Sequence, residues 1–176
     1  MNWKKAFFIL ILFFTRSGFS DIDQVGKFNI GAAAGYTTGL GLSYRQWIGS
    51  MGYQITLAPF FSENDDNSTA FFSFGTTVLR KFNEARFVNL FAYCGAHLFY
   101  YSDIYKKRPT FPDDGYTYYT EDSRTRKIIL GAGPGLDFHF LRISFNLMCG
   151  IAGNYETYTG NYGYSMTGET ALYYSF

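Results

Sequence analysis

The chain has 176 residues, of which 22% are aromatic and 19 are glycine, and its formal net charge is +1. This length suits a single domain, and the small net charge argues against nucleic acid as a partner. The two cysteines and two histidines have no metal-ligand spacing, so we predict neither a metal nor any other cofactor.

The first twenty residues, 1–20, are predicted to be a secretory signal peptide that is cleaved after Ser20. Two lysines precede an apolar run at 6–14, and the small residues Gly18 and Ser20 stand at the −3 and −1 positions of the cut. The run is too short for a membrane anchor, because a spanning helix needs about 20 apolar residues. Residues 21–176 then form one mature domain.

Turn residues divide the mature chain into eight predicted strands. They cover residues 26–36, 40–48, 51–62, 69–82, 86–101, 126–140, 143–154 and 164–176. Asn, Asp, Gly and Ser recur in the breaks between them, as turns require. The second, fourth and sixth breaks have two or three residues, whereas the fifth spans 102–125. Since transmembrane barrels have short periplasmic turns and longer extracellular loops, we expect the even-numbered connections and both chain ends in the periplasm.

Side chains alternate along these strands between large apolar residues and small residues. In 143–151, Ile, Phe, Leu and Cys alternate with Ser144, Asn146, Met148 and Gly150. Small residues suit the inside of a narrow barrel, whereas a soluble barrel needs charged or long polar side chains outside. We therefore predict an all-β fold: a closed, eight-stranded, antiparallel, up-and-down transmembrane β-barrel. A soluble exported lipocalin-like binding barrel is the alternative.

Two prolines interrupt the predicted strands. Pro59 and Pro134 each lack a backbone donor, and proline is disfavoured inside a sheet. We therefore expect a bulge or a local break in register at each of them.

The strand pattern, the alternating loop lengths and the aromatic residues Tyr174 and Phe176 resemble those of the small bacterial outer-membrane β-barrels of the OmpA/OmpX type. The resemblance implies residence in the outer membrane of a Gram-negative-type cell, in contact with outer-membrane lipid. It also implies insertion by the barrel-assembly machinery, with Leu172, Tyr174 and Phe176 as the C-terminal assembly signal.

An enzyme is the alternative from another functional class. Some eight-stranded barrels are lipid A deacylases or acyltransferases, and the deacylases use a histidine and a serine two residues apart. Neither His97 nor His139 has a nucleophile at that spacing, and both are predicted to point inward. A serine from another strand stays open as a partner for His97. We predict that the chain is not an enzyme, and keep a lipid-modifying enzyme as the alternative.

The break at 102–125 is the predicted functional surface. Tyrosines and mixed charges there suit binding of an extracellular ligand, although a solvated hairpin that extends two strands is equally consistent. The predicted function is a structural or surface-interaction role through such extracellular loops. The candidate binding residues are Tyr105, Lys106, Lys107, Arg108, Tyr116, Tyr118 and Tyr119.

The lumen is predicted to be filled by side chains and not to form an open pore, because eight strands leave little interior space. Arg45 and Glu169 are predicted to point inward on strands two and eight, both next to strand one. Because a buried charge needs a partner, we expect these two to pair, with Asp137 as a candidate third member; the alternative is that each reaches water at a mouth of the barrel. The bulky residues expected in the lumen are Phe60, Phe91, Tyr93, Phe99 and Tyr173.

The two cysteines are predicted on the outer face of strands that are not neighbours. Cys94 and Cys149 should therefore be free thiols that behave as small apolar residues.

Overall fold

Eight antiparallel strands close into a single barrel in chain order, which confirms the predicted fold class. The structure is a computed structural model that describes residues 28–64, 67–85, 87–107 and 119–176. The predicted signal peptide lies outside these residues. In the part of the chain that is described, no helix is both long and apolar enough to cross a membrane. The strands are β1 Phe28–Gly35, β2 Gly39–Ile48, β3 Met51–Glu63, β4 Asn67–Glu84, β5 Val88–Lys107, β6 Tyr119–Phe140, β7 Ile143–Glu156 and β8 Tyr162–Ser175.

The two faces of the barrel differ in the way the alternation predicts. On the outer face, Leu42 is 76% exposed, Leu130 61% and Ile151 71%, whereas Ser43 and Asn146 are buried inside. Successive side chains of a strand point to opposite faces, so one sequence pattern produces both surfaces. An outer face of this apolar composition is the surface of a membrane-spanning barrel, and it is incompatible with the soluble lipocalin-like alternative.

Both prolines are accommodated without a shift in register. Pro59 is paired with Phe72 of β4, and the β2–β3 ladder has already ended at Leu42 and Leu57, so no ladder bond on that side is lost. At Pro134 the β5 ladder is continuous, while the β6–β7 ladder stops at Ala132 and resumes in the same register. The expected bulge is therefore absent at both prolines, and a local break is present only at Pro134, where the β6–β7 ladder is interrupted without a shift in register. A register shift lies instead in β4, between Lys81 and Asn83.

The wall of the barrel is uneven in height. β1 has 8 residues and β2 has 10, whereas β5 has 20 and β6 has 22. β5 and β6 remain paired as far as Lys107 and Tyr119, so most of the predicted loop 102–125 is a hairpin extension. Outside a membrane neither face of a strand needs to be apolar, so the alternation that identifies strands is lost there.

The cysteines lie where the sequence predicts. Cys94 on β5 and Cys149 on β7 are both exposed on the outer face, and both are free thiols. β6 separates the two strands, which prevents a disulfide between them.

Candidate functional site

Arg45 lies inside the barrel and contacts side chains from three other strands. Its Nη1 lies 3.4 Å from Oδ1 of Asp137, and both side chains are fully buried. Nη2 donates to Oγ of Ser144 at 2.8 Å, and the guanidinium lies 4.2 Å from the ring centre of Tyr173. The other carboxylate oxygen of Asp137 lies 3.1 Å from Nε2 of His139. The buried charge of Arg45 is thus stabilised by side chains of β6, β7 and β8.

An apolar cluster fills the lumen beside this ion pair. Phe91, Tyr93 and Tyr173 are buried in the lumen as predicted. Phe60 is instead 55% exposed, because it lies on β3 beyond the point where β2 stops pairing. Phe99 is half-buried and lines a cavity higher in the barrel. The cluster consists of Trp47, Leu79, Phe91, Tyr93 and Met148.

The expected pairing of Glu169 with Arg45 is wrong, because Glu169 instead binds the turn between β1 and β2. One carboxylate oxygen accepts the backbone N–H of Thr37 at 3.2 Å and the other accepts that of Thr38 at 2.9 Å. The hydroxyl of Tyr93 donates to the same carboxylate at 3.1 Å. Thr37 and Thr38 are fully buried, so this turn is folded into the lumen.

Two further side chains hold the same turn from the opposite wall. Oγ of Ser73 accepts the backbone N–H of Leu40 at 2.9 Å, and Nε2 of His97 lies 2.9 Å from that Oγ. Nδ1 of His97 lies 2.8 Å from the carbonyl oxygen of Tyr36, to which it donates. Glu169, Ser73 and His97 therefore fix the backbone of the turn at both of its ends.

Glycines on the opposite wall make room for the turn. A methyl group at Gly75 would overlap the carbonyl of Thr38, and one at Gly131 would overlap the hydroxyl of Thr37. A methyl group at Gly95 would lie 3.0 Å from the side chain of Thr37. These glycines lie on β4, β5 and β6, so the turn packs against three strands at once.

Above the turn lies a cup that opens at the end of the barrel where the long strands project. Its volume is about 320 Å³. Its lining is mainly apolar and also includes His97 and the positively charged residue Lys127. The side chains that define it are Tyr36, Leu40, Phe71, Phe99, Lys127 and Ile129.

Side chains at the base of the β5–β6 hairpin are joined by hydrogen bonds. Thr69 donates to one oxygen of Asp103 at 3.1 Å, and Tyr101 donates to the other at 2.9 Å. The bond to Asp103 raises the pKa of the Tyr101 phenol above its ordinary value. Of the predicted binding residues, Tyr105, Lys106 and Lys107 end β5 and Tyr119 begins β6, whereas Arg108, Tyr116 and Tyr118 lie outside the described residues.

The predicted assembly signal lies at the opposite end of the barrel. Leu172, Tyr174 and Phe176 are 55%, 41% and 70% exposed on the outer face of β8. The rings of Tyr174 and Phe176 meet edge to face with centres 5.1 Å apart. The backbone N–H of Phe176 donates to the carbonyl of Phe28 at 3.1 Å, which closes the barrel to its last residue.

The sequence did not identify the turn or its clamp as a site. Thr37 and Thr38 have the composition of an ordinary turn, and Ser73 is one of many small inward residues. The signal that could have found the site was the set of inward glycines on β4, β5 and β6, which marks close approach of another segment. Among the described residues, no group of three or more His, Cys, Asp or Glu side chains could hold a metal ion.

Comparison with known proteins supports the fold. No protein-family model and no curated protein sequence matches this chain significantly. Among solved structures, the chain is similar to a major outer membrane protein from Thermus thermophilus, with a TM-score of 0.50 and 16% identity over 86% of this chain and 100% of that one. It is also similar to Neisserial surface protein A, with a TM-score of 0.43 and 14% identity over 86% and 96%. A third match is Ail, the attachment invasion locus protein of Yersinia pestis, with a TM-score of 0.45 and 15% identity over 86% and 97%. At these identities the likeness concerns the fold alone.

Proposed function

We propose that this chain is an outer-membrane barrel with a filled lumen that interacts with the cell's surroundings through its projecting β5–β6 hairpin. The length of these strands is the observation that carries the proposal. A transmembrane strand needs about 9–11 residues to cross a membrane, whereas β5 has 20 and β6 has 22. About half of each strand therefore stands outside the hydrocarbon, and the hairpin carries tyrosines and lysines that suit binding.

The filled lumen favours an interaction role over solute transport. The Arg45–Asp137 pair, the apolar cluster around Phe91 and the inward β1–β2 turn occupy successive levels of the barrel. A solute would have to displace all three. The resemblance to outer-membrane barrels and the lipid-facing outer surface support residence in the outer membrane and insertion by the barrel-assembly machinery.

The interaction role is tested by replacing Tyr105, Tyr116, Tyr118 and Tyr119 with serine in one variant. Cells that carry the intact barrel should adhere to at least one member of a panel of immobilised glycans and extracellular-matrix proteins, and the variant should lose that adhesion. A matched control replaces Tyr158 and Tyr162, two exposed tyrosines near the β7–β8 turn. Adhesion no greater than that of barrel-free cells would contradict the role.

A lipid-modifying enzyme is the second candidate, and one contact favours it. Oγ of Ser73 lies 2.9 Å from Nε2 of His97, and the carbonyl of Tyr36 holds the proton on Nδ1, which leaves Nε2 as a base. Ser73 is fully buried, however, and its Oγ already accepts the N–H of Leu40. We therefore assign the pair to holding the turn.

Labelling with a fluorophosphonate probe separates the two roles of Ser73. A clamp predicts no labelling, and Ser73→Ala should lower the free energy of unfolding by about 1 kcal/mol through the lost hydrogen bond. Labelling that disappears in Ser73→Ala, together with a change in the lipid A of cells that produce the protein, would establish the enzyme instead.

A further inference from the structure

The barrel wall has a gap above the short β1–β2 hairpin. The β1–β8 ladder ends at Ala34 and Thr170, and the β2–β3 ladder ends at Leu42 and Leu57. Beyond these points β8 continues up to Tyr162 and β3 up to Glu63, each without a strand partner among the described residues on the side that faces the gap. The cup is therefore open to the side as well as to the end of the barrel.

The height of the gap places it near the outer margin of the hydrocarbon. β2 has 10 residues, about the number needed to cross a membrane. The edges of the gap still carry large apolar side chains that point outward: Phe61 is 75% exposed on β3, and Tyr164 and Met166 are 88% and 89% exposed on β8. Aromatic side chains of this kind favour the region where lipid headgroups meet acyl chains.

Leu40 connects the cup with this lipid-facing surface. It lines the cup, and it is 48% exposed, two residues before the outward-facing Leu42 on β2. The other walls are supplied by Tyr36, Phe71, Phe99 and Ile129. An apolar cavity of about 320 Å³, at the low end of the range for ligand pockets (roughly 300–1,000 Å³), is suited to a hydrocarbon chain.

The charge at the cup indicates which headgroup accompanies that chain. Lys127 lines the cup, and no carboxylate is among the described residues that line it. The nearest acidic residue along the strands is Glu156, the cross-strand neighbour of Lys127 on β7. Its carboxylate is bonded to another residue, since it accepts a hydrogen bond from Thr159 at 3.2 Å. An ammonium beside an apolar cavity at the membrane margin is complementary to a phosphate-bearing headgroup.

We infer that the cup holds an acyl chain of an anionic lipid from the outer leaflet. The chain enters sideways past Leu40, through the gap between β3 and β8, and the headgroup phosphate lies near Lys127. The folded-in turn forms the floor of the site, which explains why so many contacts hold a turn of three residues.

The inference is tested with tryptophan reporters and brominated lipids, because bromine quenches tryptophan fluorescence on contact. In the chain from residue 21 onward, which lacks Trp3, Trp47 is replaced by Phe and a single Trp is placed in the cup as Phe99→Trp. Two reference proteins carry the reporter elsewhere: Leu130→Trp, with Trp47 likewise replaced by Phe, lies on the outer face, and the unsubstituted protein keeps Trp47, which is buried in the lumen cluster below the turn. Each protein is refolded into vesicles that mix phosphatidylglycerol with phosphatidylcholine, with the bromine on the chains of one lipid or the other.

Quenching of the cup reporter should approach that of the outer-face reporter, while the lumen reporter stays bright. Leu40→Asn should reduce quenching in the cup, whereas Leu42→Asn, the matched change on the same strand, should leave it unchanged. The quenching should show that phosphatidylglycerol is enriched about fivefold over phosphatidylcholine in the cup. This factor corresponds to the attraction of about 1 kcal/mol that one lysine exerts on an anionic lipid. Lys127→Met should remove this preference, and Arg142→Met at the opposite end should not.

Three results would overturn the inference in whole or in part. A cup reporter as bright as the lumen reporter means that no acyl chain enters the cup. Equal loss of quenching in Leu40→Asn and Leu42→Asn removes the side gap as the route. Equal quenching by the two lipids removes the role of Lys127. Only variants that refold, as judged by faster gel migration before boiling, enter the comparison.

Discussion

Arg45 illustrates how a charge is kept inside a narrow barrel. The guanidinium has an ion-pair partner in Asp137, a hydrogen-bond acceptor in Ser144 and two rings nearby, those of Trp47 at 5.6 Å and Tyr173 at 4.2 Å. Aromatic faces attract cations, and the attraction grows when water is excluded. The residue is thus stabilised by several moderate contacts and not by one close salt bridge.

Replacing Arg45 by Met should leave the buried carboxylate of Asp137 without its counter-charge. We expect the free energy of unfolding to fall by about 3–5 kcal/mol, the usual cost of breaking a buried pair. Adding Asp137→Asn should recover part of the loss, because the uncompensated charge is then gone. Urea unfolding of the single and double variants in lipid vesicles measures the coupling.

Glu169→Gln provides the matched control for this pair of substitutions at Arg45 and Asp137. Its effect should add to that of Arg45→Met, because Glu169 binds the β1–β2 turn and has no contact with the guanidinium. Strong coupling between Arg45 and Glu169 would restore the pairing that the sequence suggested and contradict the arrangement seen here.

The sequence predicted the correct face for Arg45, Glu169 and Asp137 but not the correct partners. Alternation gives the side of the sheet on which a residue lies, whereas contact across the lumen depends on the positions of the two residues along the barrel axis. Through Asn29 of β1, Arg45 is level with Ser175 of β8. Glu169 lies six residues farther along β8, about 20 Å away along the strand. The shear of the barrel, which no single strand reveals, therefore decides the pairing.

Gly75 tests the packing of the folded-in turn. A methyl group there would overlap the backbone of Thr38, whereas one at Gly168 would meet no atom within 4 Å. We expect Gly75→Ala to lower the free energy of unfolding by about 1–3 kcal/mol, as overpacking does, and Gly168→Ala to have little effect. Equal effects of the two changes would mean that the turn does not occupy the lumen.

At the scale of elements, the strands were predictable because lipid imposes a strict alternation. All eight were located from period and turn residues, and β2 and β7 begin within one residue of their predicted starts. The prediction failed where the environment is water: β5 and β6 continue well beyond the predicted ends because polar side chains on both faces hide a strand. The inward fold of the β1–β2 turn was also missed, since Thr37 and Thr38 are ordinary turn residues in sequence.

The β5–β6 hairpin gives a test of orientation. Trypsin added to intact cells should cut the β5–β6 hairpin after Lys106 or Lys107, the last two residues of β5, and should leave a protected barrel. The paired strands below Asp103 should resist cleavage because their backbones are hydrogen-bonded. Mass spectrometry of the fragments locates the cut. Cleavage that requires an opened outer membrane would place this hairpin in the periplasm.

For the whole molecule, closure is the property on which the other features depend. In lipid every backbone donor and acceptor must be paired within the protein, so β8 must reach β1 for the chain to span. The ladder between them runs from Asn29 and Ser175 to Ala34 and Thr170, and the N–H of Phe176 adds a bond to Phe28. The last strand is thus the element that completes the barrel.

Deleting Phe176 separates a packing role from a recognition role. In the finished barrel the residue contributes one backbone hydrogen bond and an edge-to-face contact with Tyr174, and its ring is 70% exposed. Packing alone therefore predicts a stability loss of only about 1 kcal/mol.

Recognition of the chain end by the assembly machinery predicts much more: little barrel in the outer membrane and accumulation of periplasmic or degraded chain. We expect this second result, together with normal refolding of the purified truncated chain in detergent micelles. Immunoblots of separated membranes measure the amount of barrel in the outer membrane, and gel migration before boiling measures refolding in micelles. Normal membrane levels of the truncated chain would show that Leu172, Tyr174 and Phe176 serve only as lipid-facing residues at that end of β8.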